Sequence, residues 1–192
     1  MDVNLHDVLK AGYKNKQNQQ GALLKNGYVL DNDLSSDNHQ TYYNKDKNKL
    51  LYNVSGTHNL KDVITDGYLA LGGIKNTSRY KEDDKILRKS KEKYNVDSAT
   101  ITGHSLGGSI GGLIAKNNDK VYSLDSGYTI GSQIKNNNKA YRTSGDVVSL
   151  LGANKKKMTT LKNPNFSIFN GIVGNAYNAH NVDNIKHKKV FI

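Results

Sequence analysis

The stretch "ATITGHSLGGSIGGLIAKNN", residues 99–118, constrains the fold more than any other part of the chain. Its first residues are β-branched and alternate, which predicts a strand at 99–103, and its later apolar residues predict a helix at 106–116. Glycines crowd the junction, where they permit a sharp turn and a close approach of helix to strand. A strand, a tight turn around Ser105 and a helix are typical of a parallel sheet covered by helices.

Ser105 lies at the centre of this junction in the pattern Gly-x-Ser-x-Gly, "GHSLG". Gly103 and Gly107 leave room where the chain doubles back around the serine. Ser105 would also stand at the positive end of the following helix, where negative charge on a reacting oxygen is favoured. We therefore interpret Ser105 as a nucleophile; the alternative is an idle serine in a glycine-rich loop.

A serine hydroxyl needs a base and an orienting acid, and in this kind of turn both partners follow the serine along the chain. The acid candidates are Asp119, Asp125, Asp146 and Asp183. In α/β-hydrolases the acid usually follows the second strand after the nucleophile's strand. Predicted strands at 120–124 and 139–143 therefore select Asp146. Asp125 comes one strand too early and is expected to hold the "DSG" turn, whereas Asp119 is expected at the wrong end of the sheet.

Two histidines follow the acid, and their surroundings differ. His187 lies in "KHKK", where the neighbouring positive charges disfavour a protonated imidazole. His180 lies in "NAYNAHNVDNI", among small and apolar residues that can lead into a last helix, and we select it as the base. His58 and His104 are expected to support the site rather than to act in it.

An oxyanion needs backbone donors besides the three side chains. The N–H of Leu106, directly after the serine, is the first candidate. Thr57 in "NVSGTHNLKD" is the second, because it follows a predicted strand and opens a predicted helix. The alternative is that Thr57 only caps that helix, and both roles are compatible.

The remaining segments complete a pattern of alternating strands and helices. Residues 14–40 are polar and predict mostly loop, and the chain from about 152 onward predicts an irregular, basic segment. The charged face of the helix in 77–95 is expected to be solvated. The other predicted elements are a first helix with Leu5, Val8 and Leu9 on one face, two strands in "QTYYNKDKNKLLYNVSGT", a helix in "NLKDVITDGYLAL" and a helix in "TSRYKEDDKILRKSKEKYN" that ends at Asn95.

Composition favours one folded domain, residues 1–192. It also limits the kinds of binding partner that the chain is expected to have. The formal net charge is +11, and lysine supplies 25 of the 28 basic residues. Such diffuse charge suits an anionic membrane better than nucleic acid, whose readout favours arginine. No cysteine is present, which excludes disulfides and thiolate chemistry. Neither a signal peptide nor an apolar run of about 20 residues is evident, so a soluble chain is expected.

Three segments in order resemble the fungal-type (class three) lipases: "VSGTHNLKDVITD", "ITGHSLGG" and "AYRTSGDVVSLL", with a weaker match at "AHNVDNI". The resemblance implies an α/β-hydrolase fold, a compact, mainly parallel sheet with helices on both faces. It also implies cleavage of ester bonds in acylglycerols and sometimes phospholipids. The Asn/Lys-rich form is similar, less specifically, to lipase-like proteins encoded by DNA viruses of protists. A short lid candidate at 69–80 and the sequence "SLDSGYTIGS" depart from the family pattern and weaken an assignment to long-chain triglyceride.

The sequence therefore predicts a serine ester hydrolase acting on lipid or phospholipid esters, with Ser105, Asp146 and His180 as its triad. No cofactor or metal is expected. Peripheral contact with an anionic membrane is a further expectation from the lysines. An acyltransferase or thioesterase would share the same chemistry. The alternative from another class is a non-catalytic protein of lipase fold that binds membrane, nucleic acid or a capsid through its basic surface.

Overall fold

A computed structural model of the protein describes residues 3–13, 16–57, 73–128, 133–149, 157–163 and 178–192. The helix predicted from "NLKDVITDGYLAL" lies outside these residues, as do the first residues of the lid candidate. Within the described ranges, no helix has both the length and the apolar character needed to cross a membrane.

Strands of the described residues form a single seven-stranded sheet in which each strand pairs with the one before it in the sequence. The first three strands pair antiparallel, and the third to the seventh pair parallel. The predicted mainly parallel sheet is therefore confirmed. The strands are β1 (Val29–Asp31), β2 (His39–Asn44), β3 (Lys49–Val54), β4 (Ala99–His104), β5 (Lys120–Leu124), β6 (Asn138–Thr143) and β7 (Met158–Leu161).

Helices cover both faces of this sheet. On β3, Tyr52 packs with residues of α3 (Ser78–Tyr94) and α4 (Leu106–Ile114), whereas its neighbour Leu51 packs with residues of α1 (Leu5–Ala11). Because successive strand residues point to opposite faces, α1 lies across the sheet from α3 and α4. The α-helices are α1 (Leu5–Ala11), α2 (Lys16–Lys25), α3 (Ser78–Tyr94) and α4 (Leu106–Ile114), and shorter 3₁₀ segments span Asn32–Leu34, Ile74–Asn76 and Val182–Lys188.

The longest helix, α3, begins and ends as its sequence predicts. The side chain of Thr77 accepts the N–H of Tyr80, which caps the first turn. Asn95 takes the left-handed conformation, with φ of 50°, at the other end. Its charged face, however, is not wholly solvated as expected, because Asp83 is fully buried against the sheet.

Two loop predictions were wrong. Within 14–40 the chain forms α2, β1 and the start of β2, and beyond 152 it forms the short edge strand β7. α2 carries too few apolar residues for a helical pattern. Its residue Leu23 is buried and packs with residues of α1. β1 and β7 are only three and four residues long, so they depend on pairing with β2 and β6 rather than on local sequence.

Candidate active site

Ser105 occupies a sharp turn between β4 and α4. Its backbone has φ of 57° and ψ of −128°, a conformation that non-glycine residues rarely adopt and that costs about 1–3 kcal/mol. A Cβ at Gly103 would lie 2.5 Å from the backbone of Gly107, and one at Gly107 would collide with the carbonyl oxygen of Val54. The two glycines therefore allow α4 to pack directly on the ends of β3 and β4.

Several functional candidates meet at the edge formed by the carboxyl ends of the parallel strands. Thr57 follows β3, Ser105 follows β4, Asp125 follows β5 and Asp146 follows β6. In open α/β sheets this edge is where ligands bind.

Ser105, His180 and Asp146 form a hydrogen-bonded chain. The Oγ of Ser105 lies 2.8 Å from Nε2 of His180, and Nδ1 of the same ring lies 2.6 Å from Oδ1 of Asp146. All three residues are buried, with exposed fractions of 2% for Ser105, 7% for His180 and 0% for Asp146. An imidazole held between a carboxylate and a hydroxyl in a site sheltered from water can accept the hydroxyl proton and be stabilised as a cation.

Asp146 is fixed by the turn that follows β6. Its carboxylate accepts the N–H of Ser149 at 2.7 Å, and its own N–H donates to the carbonyl of Thr143. These bonds aim one carboxylate oxygen at the imidazole. Strand counting along the sequence selects this aspartate, and the structure brings it to His180.

His180 is presented by the segment that follows β7. Asn184 donates to the carbonyls of Asn178 and Ala179, which closes the turn around the histidine. Ile185 is fully buried in a cluster with Leu5 and other residues of α1. The backbone after His180 is a 3₁₀ segment rather than an α-helix.

The two predicted oxyanion donors flank the serine. Leu106 is the first residue of α4, so no carbonyl within the helix can accept its N–H. Thr57 follows Gly56, and a Cβ at Gly56 would lie 3.3 Å from the Cβ of Ser105. The structure therefore brings the end of β3 against the serine turn, as the oxyanion prediction requires, and the role of Thr57 stays a prediction.

Asp125 lies beside the hydrogen-bonded chain but has its own partner. Its carboxylate accepts the N–H and the hydroxyl of Thr143, at 2.5 and 2.9 Å. Burial raises the pKa of Asp125 well above its usual value of 3.8, and the nearby Asp146 carboxylate raises it further. The expectation that Asp125 ties down its turn fits these contacts, which join the end of β5 to the end of β6.

The two remaining acid candidates, Asp119 and Asp183, have hydrogen-bond partners away from Ser105. Asp119 accepts the N–H of Ala99 at 2.8 Å and that of Lys116 at 2.7 Å, at the opposite edge of the sheet. Asp183 accepts from His6 and Lys10 on α1. Neither is available to orient His180.

His104 is packed beneath the site, next to His180. Their ring centroids lie 4.7 Å apart, and burial together with His180 lowers the pKa of His104 well below its usual value. His58 and the side chain of His187 lie outside the described part of the structure.

Ligand atoms of His104, Asp125 and His180 lie within 4.8 Å of one another, a spacing that would suit a metal ion. His180 already has a hydrogen-bond partner at each ring nitrogen, and Asp125 has Thr143. Binding a metal there would break these bonds. The absence of a metal requirement stays a prediction.

Sequence reasoning missed a buried ion-pair network under the end of β3. Arg79 and Asp83 pair at 3.1 Å, and His39 and Tyr52 contact the same carboxylate at 2.9 Å each. The guanidinium also donates to the carbonyl of Ser55 at 2.7 Å, one residue before Gly56. The i,i+4 spacing of Arg79 and Asp83 was the available signal, but it does not distinguish a buried pair from an exposed one.

The mostly parallel sheet, the helices on both faces and the strained serine between β4 and α4 define an α/β-hydrolase fold. Residues 38–132 match the model of the family described as Lipase (class 3). The match covers 95 of the 192 residues, and it confirms the resemblance to class 3 lipases stated from the sequence motifs. The similarity to virus-encoded proteins stays a prediction.

Solved structures of fungal lipases share this fold. The Lip2 lipase from Yarrowia lipolytica is 13% identical over 83% of this chain and 76% of its own, with a TM-score of 0.51. A mutant form of MDLA from Penicillium cyclopium is 13% identical over 86% of this chain and 78% of its own, with a TM-score of 0.52. The chain spans 60% of the length of the Rhizomucor miehei lipase, at 10% identity and a TM-score of 0.48. No curated protein matches the chain significantly in sequence.

Proposed function

We propose that the protein is a serine hydrolase that cleaves carboxylic ester bonds of lipids. The observation that carries the proposal is the hydrogen-bonded chain from Ser105 Oγ through His180 to Asp146, with distances of 2.8 and 2.6 Å. The class 3 lipase match supports lipid esters as the substrate class.

Acylation begins when the Ser105 oxygen attacks the ester carbonyl carbon. The hydroxyl proton passes to Nε2 of His180, and Asp146 stabilises the resulting imidazolium through Nδ1. The N–H groups of Leu106 and Thr57 stabilise the negative charge on the former carbonyl oxygen. The carbon–oxygen bond of the ester then breaks, and His180 returns its proton to the departing alcohol.

Deacylation repeats these steps with water as the nucleophile. His180 removes a proton from the water, whose oxygen attacks the acyl carbon of the acyl-enzyme. Collapse of the second tetrahedral intermediate releases the fatty acid and returns the proton to Ser105. The side chains proposed for the cycle supply its acid–base chemistry without a cofactor.

Contact with an anionic membrane surface is part of the same proposal. Three exposed lysines, Lys186, Lys188 and Lys189, follow His180 along the chain. Each lysine near an anionic surface contributes about 1 kcal/mol of attraction at moderate salt. Binding through these residues would hold the segment that carries His180 near its lipid substrate.

The function is tested by labelling with a fluorophosphonate and by hydrolysis of p-nitrophenyl esters of increasing chain length. Ser105→Ala is expected to abolish labelling and to lower kcat by a factor on the order of 10⁶. Ser98→Ala is the matched control, because Ser98 is exposed and lies before β4, and it should behave as the parent.

A folded parent that neither labels nor hydrolyses any ester, with Ser105→Ala behaving like it in every assay, would refute the proposal and favour a non-catalytic binding role. Transfer of the acyl group to an added alcohol or thiol in preference to water would instead identify an acyltransferase. Faster cleavage of thioesters than of oxygen esters would identify a thioesterase.

A further inference from the structure

Tyr13 contacts two segments of the candidate site, the end of β3 and the end of β4. It follows α1, whose residues Leu5 and Val8 are fully buried, so the backbone that carries the tyrosine is firmly packed. The carbonyl of Gly12 accepts the hydroxyl of Ser55, which joins this segment to the end of β3. The packing of α1 and this hydrogen bond therefore fix the backbone that carries the phenol.

The hydroxyl of Tyr13 lies against Gly56, the residue before Thr57. A Cβ at Gly56 would collide with the phenol oxygen, so only glycine admits the hydroxyl at this position. Burial raises the pKa of Tyr13 well above its usual range, and a hydrogen bond from the Gly56 N–H opposes that rise. The phenol oxygen thus accepts a bond from the strand end that precedes the predicted oxyanion donor.

The same hydroxyl lies 2.6 Å from Nδ1 of His104, the residue before Ser105. His104 is neutral, because burial and the nearby His180 lower its pKa. Because the phenol oxygen already accepts from Gly56, donation of its O–H to Nδ1 gives both the phenol and Nδ1 a partner. The proton of His104 is then on Nε2, which has no partner among the described residues.

We propose that Tyr13 is a positioning residue that fixes the spacing between the oxyanion donor at Thr57 and the nucleophile at Ser105. Its single hydroxyl bonds to the residue before each of them. Through His104, whose ring packs on that of His180, it also steadies the imidazole that bonds to Ser105. The inference rests on the proposed function and adds a residue about 90 positions away from the serine turn.

Tyr13→Phe removes this hydroxyl and keeps the ring. Its kcat toward a p-nitrophenyl ester is expected to fall about tenfold, with KM changed less than twofold, because a misplaced donor weakens binding of the transition state but not of the ester. Fluorophosphonate labelling should slow in parallel. Tyr42→Phe is the matched control, since the Tyr42 hydroxyl is buried and has no hydrogen-bond partner among the described residues.

A double-mutant cycle separates positioning from general stability. In a His104→Leu background, Tyr13→Phe should lower kcat by less than twofold, because without Nδ1 the hydroxyl no longer links Gly56 to the serine turn. His104→Asn, which keeps an acceptor close to the position of Nδ1, should retain more activity than His104→Leu.

Each outcome bears on a different conclusion. Equal kcat for Tyr13→Phe and Tyr42→Phe, or an undiminished tenfold effect in the His104→Leu background, would overturn the role of Tyr13 alone. A fall in Tm for Tyr13→Phe without any fall in kcat would do the same. Hydrolysis by the parent that does not depend on Ser105 would overturn the proposed function, and this inference with it.

Discussion

Substitution of Asp83 by asparagine tests whether the buried ion pair supports the end of β3. Asp83 is fully buried, and Arg79, which it contacts at 3.1 Å, is 19% exposed. The Asp83→Asn variant keeps the shape of the side chain and an acceptor for the hydroxyl of Tyr52. It removes the negative charge and turns an amide N–H₂ toward a positively charged neighbour.

The size of the effect follows from this burial. Removing one partner of a buried ion pair costs about 3–5 kcal/mol, because the other charge is left unpaired out of water. The low end applies here, since the amide still accepts one hydrogen bond and Arg79 keeps its bonds to the carbonyls of Asn38 and Ser55. A loss of about 3 kcal/mol lowers Tm by about 6–12 °C in a chain of this length.

The same helix offers a matched control at the same spacing. Asp84 and Arg88 form an i,i+4 pair at 3.0 Å, but their exposed fractions are 23% and 62%. Exposed pairs of this kind contribute about 0.3–0.5 kcal/mol. Asp84→Asn should therefore change Tm by less than about 2 °C.

Thermal unfolding followed by circular dichroism, and urea unfolding at 25 °C, measure both variants. A Tm for Asp83→Asn within 2 °C of the Asp84→Asn value would refute the reasoning, because it would mean that the buried pair contributes no more than an exposed one. A lower kcat for Asp83→Asn at a temperature where it remains folded would further indicate that Arg79 positions Ser55 and the residues after it.

Two other predictions concern Asp125 and the exposed lysines. The folded state holds the pKa of Asp125 above its usual value, so the stabilising contribution of its bound proton is complete at low pH and is lost as the pH rises through the folded-state pKa. Asp125→Asn cannot ionise and should gain stability relative to the parent between pH 4 and pH 7; an equal difference in free energy of unfolding at both values would contradict this. Binding to vesicles that contain phosphatidylserine should weaken when Lys186, Lys188 and Lys189 are changed to Gln, and should change less with the control set Lys81, Lys85 and Lys89 on α3. Equal weakening by the two sets would show that only net charge matters.

The serine turn could be predicted from sequence because its determinants are local. Gly103 and Gly107 are needed wherever a helix returns so closely onto a strand, and they stand within two residues of Ser105. The strands predicted at 120–124 and 139–143 correspond to β5 and β6, and Asp146 follows the second of them. The three selected side chains lie in one hydrogen-bonded chain, and their catalytic role remains a prediction.

Other features could not be predicted because they depend on contacts between distant segments. Asp83 is the same residue type as its partly exposed neighbour Asp84, and only the position of α3 against β2 and β3 buries it. Tyr13 stands in a segment that reads as the polar end of a short helix, and its contact with His104 joins positions that are 91 residues apart. The spacing of apolar residues within either segment does not indicate such a contact.

The order of the strands has a consequence for the nascent polypeptide. Because each strand of the described sheet neighbours the one translated just before it, the sheet can extend as the chain leaves the ribosome. Ser105 precedes His180 by 75 residues, so β4 and α4 can form before His180 has been synthesised. Until Val182 and Ile185 pack against α1, the serine hydroxyl lacks its hydrogen bond to the imidazole of His180.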